Sequence, residues 1–252
     1  MRIIDADVHL APIREQGIDA SIETTIMKMD RAKVDQALVW LIPPYLRYID
    51  DSNAYIYKAT QKYPDRFLGF GWADPNLGVD KAIDSVRKCI YEYGFYGVKL
   101  NGAQNSYYID NPEYAPVVEE IAKTKKALAF HVGADAFEFT HPFRVRKIAK
   151  AYPEMKILVA HMGGVGHADL TDAMIEVAQE CPNIMLIGSM VRTKAIWKAI
   201  EQLGTDRVCY GSDTPFDIMH ACVGKYKALI EDLPLDDQEK IMGGNLLRTL
   251  GF

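Results

Sequence analysis

The sequence predicts an α/β protein folded as a single (β/α)8 barrel, the TIM-barrel architecture, and three observations carry that expectation. The chain is 252 residues long, close to the size of eight strand–helix units and ample to bury a large core. Apolar runs of strand length alternate with amphipathic stretches from one terminus to the other. The runs are continuously apolar rather than alternating, as expected for parallel strands covered on both faces. No GxGxxG follows the first run, so an open dinucleotide-binding sheet loses its main support.

Each element has its own justification. The first strand is expected over roughly residues 2–9, with a helix over 19–32. DQALVWLI, residues 35–42, reads as the second strand. Asp51 and Ser52 are residue types that cap a helix over 52–63, and Pro64 ends it. RFLGFGWADP (66–75) is the third strand, followed by the helix GVDKAIDSVRKCIYEYG, closed by Gly94. FYGVKL (95–100) is the fourth, and Asn111-Pro112 starts the next helix in the order proline prefers. ALAFHV (127–132) is the fifth strand, and a helix near 141–152 leads to KILVAH (156–161). Helices over 168–180 and 192–203 flank NIMLIGS (183–189) and precede RVCYGS (207–212). Two helices, near 219–232 and 235–250, complete the chain as one domain, residues 1–252.

Composition narrows the function classes. Formal net charge is −5 with no basic stripe, which argues against nucleic acid as a partner. No apolar run approaches the about 18 residues of a membrane span, and a strand begins at once, leaving no room for a signal peptide. The four cysteines, Cys89, Cys181, Cys209 and Cys222, have no CxxC spacing and read as reduced thiols. The expectation is a cytoplasmic protein acting on a small-molecule substrate, with a homo-oligomer compatible.

Potential metal ligands recur where strands end. Asp5, Asp7 and His9 alternate along the first strand, so their side chains are expected to share one face. His131 ends the fifth strand, His161 the sixth, before Gly163 and Gly164, and Asp213 follows the eighth. Singly, each has a bland reading: a solvated edge strand, a hydrogen-bonded core histidine, a turn cap. Strand ends converge on one rim of a parallel barrel, so together they make a candidate site.

The chain resembles the amidohydrolase superfamily, in particular its amidohydrolase-related branch of metal-dependent hydrolases and decarboxylases. The resemblance rests on the opening strand, YPDRFLGFGWADP, YGVKLNG, AFH, VAHMGG, YGSDTPF and the closing NLLRTLGF. The usual first-strand signature is DxHxH; here it reads Asp5-x-Asp7-x-His9, with Asp7 where the first histidine is expected. The resemblance implies one divalent ion held by Asp7, His9, His131 and Asp213, with His161 and Asp213 catalytic. It also raises a carbamylated Lys99 and a second metal as a lesser alternative.

Such an ion acidifies a bound water or polarises a substrate oxygen. Mixed nitrogen and oxygen donors suit Zn²⁺ first, with Mn²⁺ or Fe²⁺ as alternatives. Arg47, Trp72, Asn101 and Arg192, after strands two, three, four and seven, are the candidate substrate contacts, and either arginine suits a carboxylate. His141, His167 and His220, at expected helix starts, read as peripheral. The expected activity is hydrolysis of an amide, ester or lactone bond in a small carboxylate-bearing metabolite. Non-oxidative decarboxylation of an aromatic or unsaturated acid is the alternative, and a non-catalytic metabolite-binding barrel the third. Compact length favours hydrolysis in this reading, because decarboxylases of the branch carry longer loops over the site.

Overall fold

The computed structural model describes residues 1–12, 18–42, 48–133 and 135–252. Strands β1 (Ile4–Leu10), β2 (Gln36–Leu41) and β3 (Phe67–Gly69) pair in parallel in that order. A second parallel ladder runs in chain order through β4 (Gly71–Ala73), β5 (Gly97–Leu100), β6 (Ala127–His131), β7 (Ile157–Ala160), β8 (Ile184–Ile187) and β9 (Val208–Cys209). β3 and β4 are two halves of the expected third strand, interrupted at Phe70. The Phe70 N–H donates to Val39 O at 2.9 Å and keeps the two ladders joined. At the other seam the Ala6 N–H donates to Tyr210 O at 3.1 Å and the His9 N–H to Thr214 O at 2.7 Å. Val8 also bridges Thr214 in parallel. Hydrogen bonding therefore runs from the last strand back to the first, although the regular ladder lapses there.

The helices are α1 (Ile22–Ala32), α2 (Ile49–Lys62), α3 (Val79–Arg87), α4 (Gly102–Asn105), α5 (Ala115–Lys123), α6 (Pro142–Ala151), α7 (Ala168–Glu180), α8 (Thr193–Leu203), α9 (Met219–Leu229), α10 (Leu235–Glu239) and α11 (Asn245–Leu250). α7 begins and ends where the sequence placed it. α1 starts later than expected, at Ile22, because the Ser21 hydroxyl accepts from the Thr24 N–H at 3.4 Å and fixes the cap there. α2 starts earlier than expected, at Ile49; Asp50 and Asp51 lie in its first turn, where carboxylates complement the helix dipole rather than cap it. Asn111 does cap, accepting from the Glu113 N–H at 3.1 Å, but it opens a 3-10 turn at Pro112–Tyr114 before α5. The helix expected over 235–250 is broken into α10 and α11 by a π turn at Lys240–Gly244. There the Ile241 carbonyl accepts from the Tyr210 N–H at 2.9 Å, and Gly243 packs so tightly on Ile4 that a Cβ would lie 2.8 Å from Ile4 Cγ1. Tertiary contact with the barrel floor overrides the helical pattern.

Two apolar layers result. Inside the barrel, Ile4, Ala6, Leu38, Trp40, Phe70 and Ile187 pack with further inward residues, above Leu246 and Leu250 of α11. Between strands and helices, Val8, Val39, Val98, Phe130, Val159 and Leu186 form part of a larger outer layer. Parity along most strands is clean, so the inward positions at the strand ends are readable. β1 is the exception. Asp5 pairs with Ala37 but Val8 with Val39, so one extra residue bulges between them. Ala6 packs in the barrel layer, Val8 in the outer layer, and Asp7 and His9 turn inward. The expectation that Asp5 shares their face is corrected: Asp5 accepts from Tyr210 OH, itself in the outer layer, and lies at the β1–β9 seam.

Candidate active site

Asp7, His9 and Asp213 converge, with one potential ligand atom of each within 4.8 Å of the others. His9 Nε2 lies 3.5 Å from Asp7 Oδ1 and 3.2 Å from Asp213 Oδ1. All three residues are buried. His9 Nδ1 is 2.6 Å from Leu41 O, a carbonyl that only accepts, so the ring proton sits on Nδ1 and the Nε2 lone pair is left for the cluster. The Trp40 indole N–H donates to that same lone pair at 3.1 Å, a bond His9 would give up in ligating an ion through Nε2.

His131 and His161 stand beside this group, their rings edge to face at 4.7 Å. His161 Nδ1 is 3.9 Å from Asp7 Oδ2. His131 lies outside the three-residue cluster, but its Nε2 is buried with no hydrogen-bond partner among the described residues, as is Asp7 Oδ1. A buried polar atom left unpaired is costly, and two on inward residues of one rim fit a site that takes a cation. The donor set of carboxylate and imidazole suits a divalent ion of borderline hardness. His161 and Asp213 adopt left-handed backbone angles, φ +61° and +59°, a conformation costly for residues bearing a Cβ and concentrated at functional sites.

The electrostatics are built for positive charge. Burial alone would push Asp7 up, but the Lys99 charge, the pairing with His9 and the charge of His161 outweigh it and hold the carboxyl below the usual range. Burial also favours a neutral His9, yet its contacts with Asp213 and Asp7 raise its affinity for a proton. His131 is driven the other way, well below the ordinary imidazole range, by burial and then by the charges of His161 and Lys99. It is a neutral lone-pair donor at neutral pH. Lys99 is fully buried, its ammonium 3.6 Å from the centroid of the Trp40 ring, and burial lowers it to about 8.

The four expected substrate contacts fare differently. Arg47 lies outside the described residues. Arg192 precedes α8 on the rim and is exposed. Trp72 is corrected: it lies within β4 and not after the strand, is fully buried, and its indole N–H donates to Asn105 Oδ1 at 3.0 Å. Asn101 is corrected too, because its amide is spent on α4. Its oxygen accepts from the Gln104 N–H at 3.1 Å and its nitrogen donates to Gln104 Oε1 at 2.5 Å. His141 caps α6 and accepts from the Phe143 N–H, His167 precedes α7, and His220 is exposed on α9. Ser189 was missed. It donates to Asp7 Oδ2 at 2.5 Å and lies 3.1 Å from His161 Nδ1. Inward parity through Met185 and Ile187 reaches Ser189 next, a signal present in NIMLIGS and not used.

The profile of the Amidohydrolase family matches residues 4–252. The 2-amino-3-carboxymuconate-6-semialdehyde decarboxylase of Dictyostelium discoideum is 25% identical, over 98% of this chain and 77% of its own. The gamma-resorcylate decarboxylase of Rhodococcus jostii is 26% identical, over 87% of this chain and 80% of its own. Among solved structures, a 2,6-dihydroxybenzoate decarboxylase from Rhizobium superposes with a TM-score of 0.82 at 19% identity, covering 99% of this chain and 98% of that one. A 5-carboxyvanillate decarboxylase from Novosphingobium aromaticivorans, complexed with manganese and a nitrobenzoic acid, superposes with a TM-score of 0.79 at 18% identity, covering 100% of this chain and 96% of that one.

Proposed function

We propose, from the premise that the chain belongs to the amidohydrolase family, that it is a metal-dependent enzyme removing CO₂ without redox chemistry from an aromatic or unsaturated carboxylic acid. The observation that carries this reading is the run of decarboxylases similar over nearly the whole chain. Hydrolysis, placed first from the sequence, has no such support.

Asp7, His9 and Asp213 would hold the ion, with His131 offering a further nitrogen from its unpaired Nε2. A divalent ion supplies a positive anchor for the substrate carboxylate and for an oxygen beside it. Manganese is the ion to test first, with zinc and iron next. The chain's own residues do the rest. Burial of Asp7, His9 and His161 keeps bulk water from the reacting carbon and strengthens every charge interaction there. His161 Nδ1 is engaged by Ser189, so Nε2 is the nitrogen that exchanges a proton with substrate. The protonated imidazole gives its proton to the carbon bearing the carboxylate. The C–C bond then breaks, its electron pair returns to the π system, CO₂ leaves, and the imidazole takes a new proton from water. Arg192, exposed on the rim, is proposed to hold a polar substituent of the substrate, and Arg47 stays a second candidate from the sequence.

The test is a panel of ortho-hydroxybenzoates, unsaturated dicarboxylates and lactones given to enzyme loaded with Mn²⁺ in deuterated water. Release of CO₂ with deuterium on the vacated carbon is the expected result. Lactone or ester cleavage placing oxygen-18 from solvent in the product acid, with no CO₂, would overturn the reading in favour of hydrolysis.

A further inference from the structure

We propose that Ser189 is a positioning residue: it ties the Asp7 carboxylate to the His161 imidazole and dictates which ring nitrogen keeps its proton. Ser189 is fully buried, beyond the end of β8. Its Oγ is 2.5 Å from Asp7 Oδ2 and 3.1 Å from His161 Nδ1. An ionised carboxylate only accepts, so the single hydroxyl proton of Ser189 goes to Asp7. What Oγ then offers His161 is a lone pair, and Nδ1 must donate. The Ser189 carbonyl, 3.3 Å from the same nitrogen, makes the same demand. The chain of donors runs from His161 Nδ1 through Ser189 Oγ to Asp7 Oδ2, and Nε2 is left as the exchanging nitrogen.

The surroundings hold Ser189 in that role. Tyr226 OH donates to the Gly188 carbonyl at 3.0 Å and fixes the backbone just before it. Gly211 leaves room on the other side: a Cβ there would lie 2.5 Å from Ile187 Cγ2, 3.2 Å from Asp7 Cβ and 3.4 Å from Ser189 Cβ. His161 turns at φ +61°, so its ring direction is not settled by regular strand geometry and needs an anchor. The same bond fixes Asp7. With Oδ2 tied to Ser189, the unpaired Oδ1 is the oxygen presented beside His9 Nε2. Partners of this kind behind metal ligands and catalytic imidazoles set orientation and tautomer, and their loss weakens metal binding by about 10–100-fold.

The inference rests on the proposed function for the identity of the ion and of the catalytic imidazole, but its test does not need turnover. Nitrogen-15 spectra of the neutral His161 ring, in metal-free wild type and Ser189→Ala, read the tautomer directly, with the resonance assigned by its loss in His161→Gln. Mn²⁺ titration of both proteins reads the effect on Asp7, and matching circular dichroism confirms that the variant is folded. The expected result is an Nδ1–H ring in wild type, a mixture of tautomers in Ser189→Ala, and Mn²⁺ binding weakened by about tenfold or more in the variant. An Nε2–H ring in wild type overturns the proposal, and so does a variant that keeps either the wild-type tautomer or Mn²⁺ affinity within about twofold. If wild type binds no Mn²⁺ or releases no CO₂, the proposed function fails by itself, and the tautomer measurement alone still decides the role of Ser189.

Discussion

Asp5 and Asp7 stand two positions apart on one strand and hold protons in opposite ways. Burial pushes Asp5 up to about 7, against the hydrogen bonds it accepts from Ser212 and Asp7 N–H groups. Asp7 has Lys99 and two histidines near it and stays ionised. The consequence for stability is directional. A carboxyl whose folded pKa exceeds its unfolded one binds a proton in the fold that the unfolded chain has already released, so stability falls as pH rises between the two values. In EDTA, Asp5→Asn should therefore gain on wild type in Tm as pH rises from about 4 to about 7, with no further gain above. Parallel Tm–pH curves would show that Asp5 is not protonated in the fold. His161 carries the second residue-scale prediction. His161→Ala should lower kcat by about 10²–10⁴-fold while leaving Mn²⁺ content near stoichiometric, because the imidazole is proposed to move a proton rather than hold the ion. Loss of metal in that variant would place His161 among the ligands. The strand-end positions of Asp7, His9, His161 and Asp213 were readable in the sequence, and the structure brings Asp7, His9 and Asp213 together. Nothing local announces that Trp72 bonds Asn105 or that Asn101 bonds Gln104.

At the scale of the element, the bulge in β1 and the clamp on α6 do the positioning. One extra residue between Asp5 and Val8 separates a seam-facing carboxylate from a site-facing one. A straight strand would have sent both the same way, and the alternation in DADVH cannot announce the bulge. The rim segments after β5 and β6 are held by α6: Asp110 accepts from Arg144 and, at 2.7 Å, from Lys147. Arg144 also donates to Glu138 O at 2.8 Å, and its guanidinium lies 4.2 Å from the Tyr108 ring centroid. Burial would raise Asp110, but the bonds from Lys147 and Arg144 outweigh it and lower its pKa. A carboxyl depressed in the fold adds stability that is present above its unfolded pKa and lost as pH falls through the folded value. Asp110→Asn should cost about 1–2 kcal/mol at pH 7 in urea unfolding, with the difference shrinking below about pH 4. An undiminished difference in acid would mean that the cost is packing and not charge. The starts expected at Asn111 and His141 do carry side-chain caps, whereas the helix expected over 235–250 starts in place and is broken where Ile241 bonds Tyr210 and Gly243 packs on Ile4.

For the whole molecule, the metal proposal has a thermodynamic consequence independent of substrate. An ion that binds only the folded chain stabilises it by about 2.7 kcal/mol at a hundred times Kd, which for a domain of this size is about 5–10 °C in Tm. Mn²⁺ should produce such a rise in scanning calorimetry, EDTA should reverse it, and Asp213→Asn should shrink it. A Tm indifferent to Mn²⁺, Zn²⁺ and Fe²⁺ would remove the ion from the site. Among the described residues no helix is long and apolar enough to cross a membrane, in keeping with the composition. The sequence by itself determined the alternation, the barrel and the rim on which the chemistry sits. Burial on both strand faces leaves a continuous apolar run, and each run ends where its polar residue begins. Only the tertiary structure decided that Asp7 and Asp213, from opposite ends of the chain, meet at His9, that Asp5 turns away, and that Ser189 links Asp7 to His161. Those outcomes depend on register, a single inserted residue, and hydrogen bonds between distant strands, none of which leaves a local pattern to read.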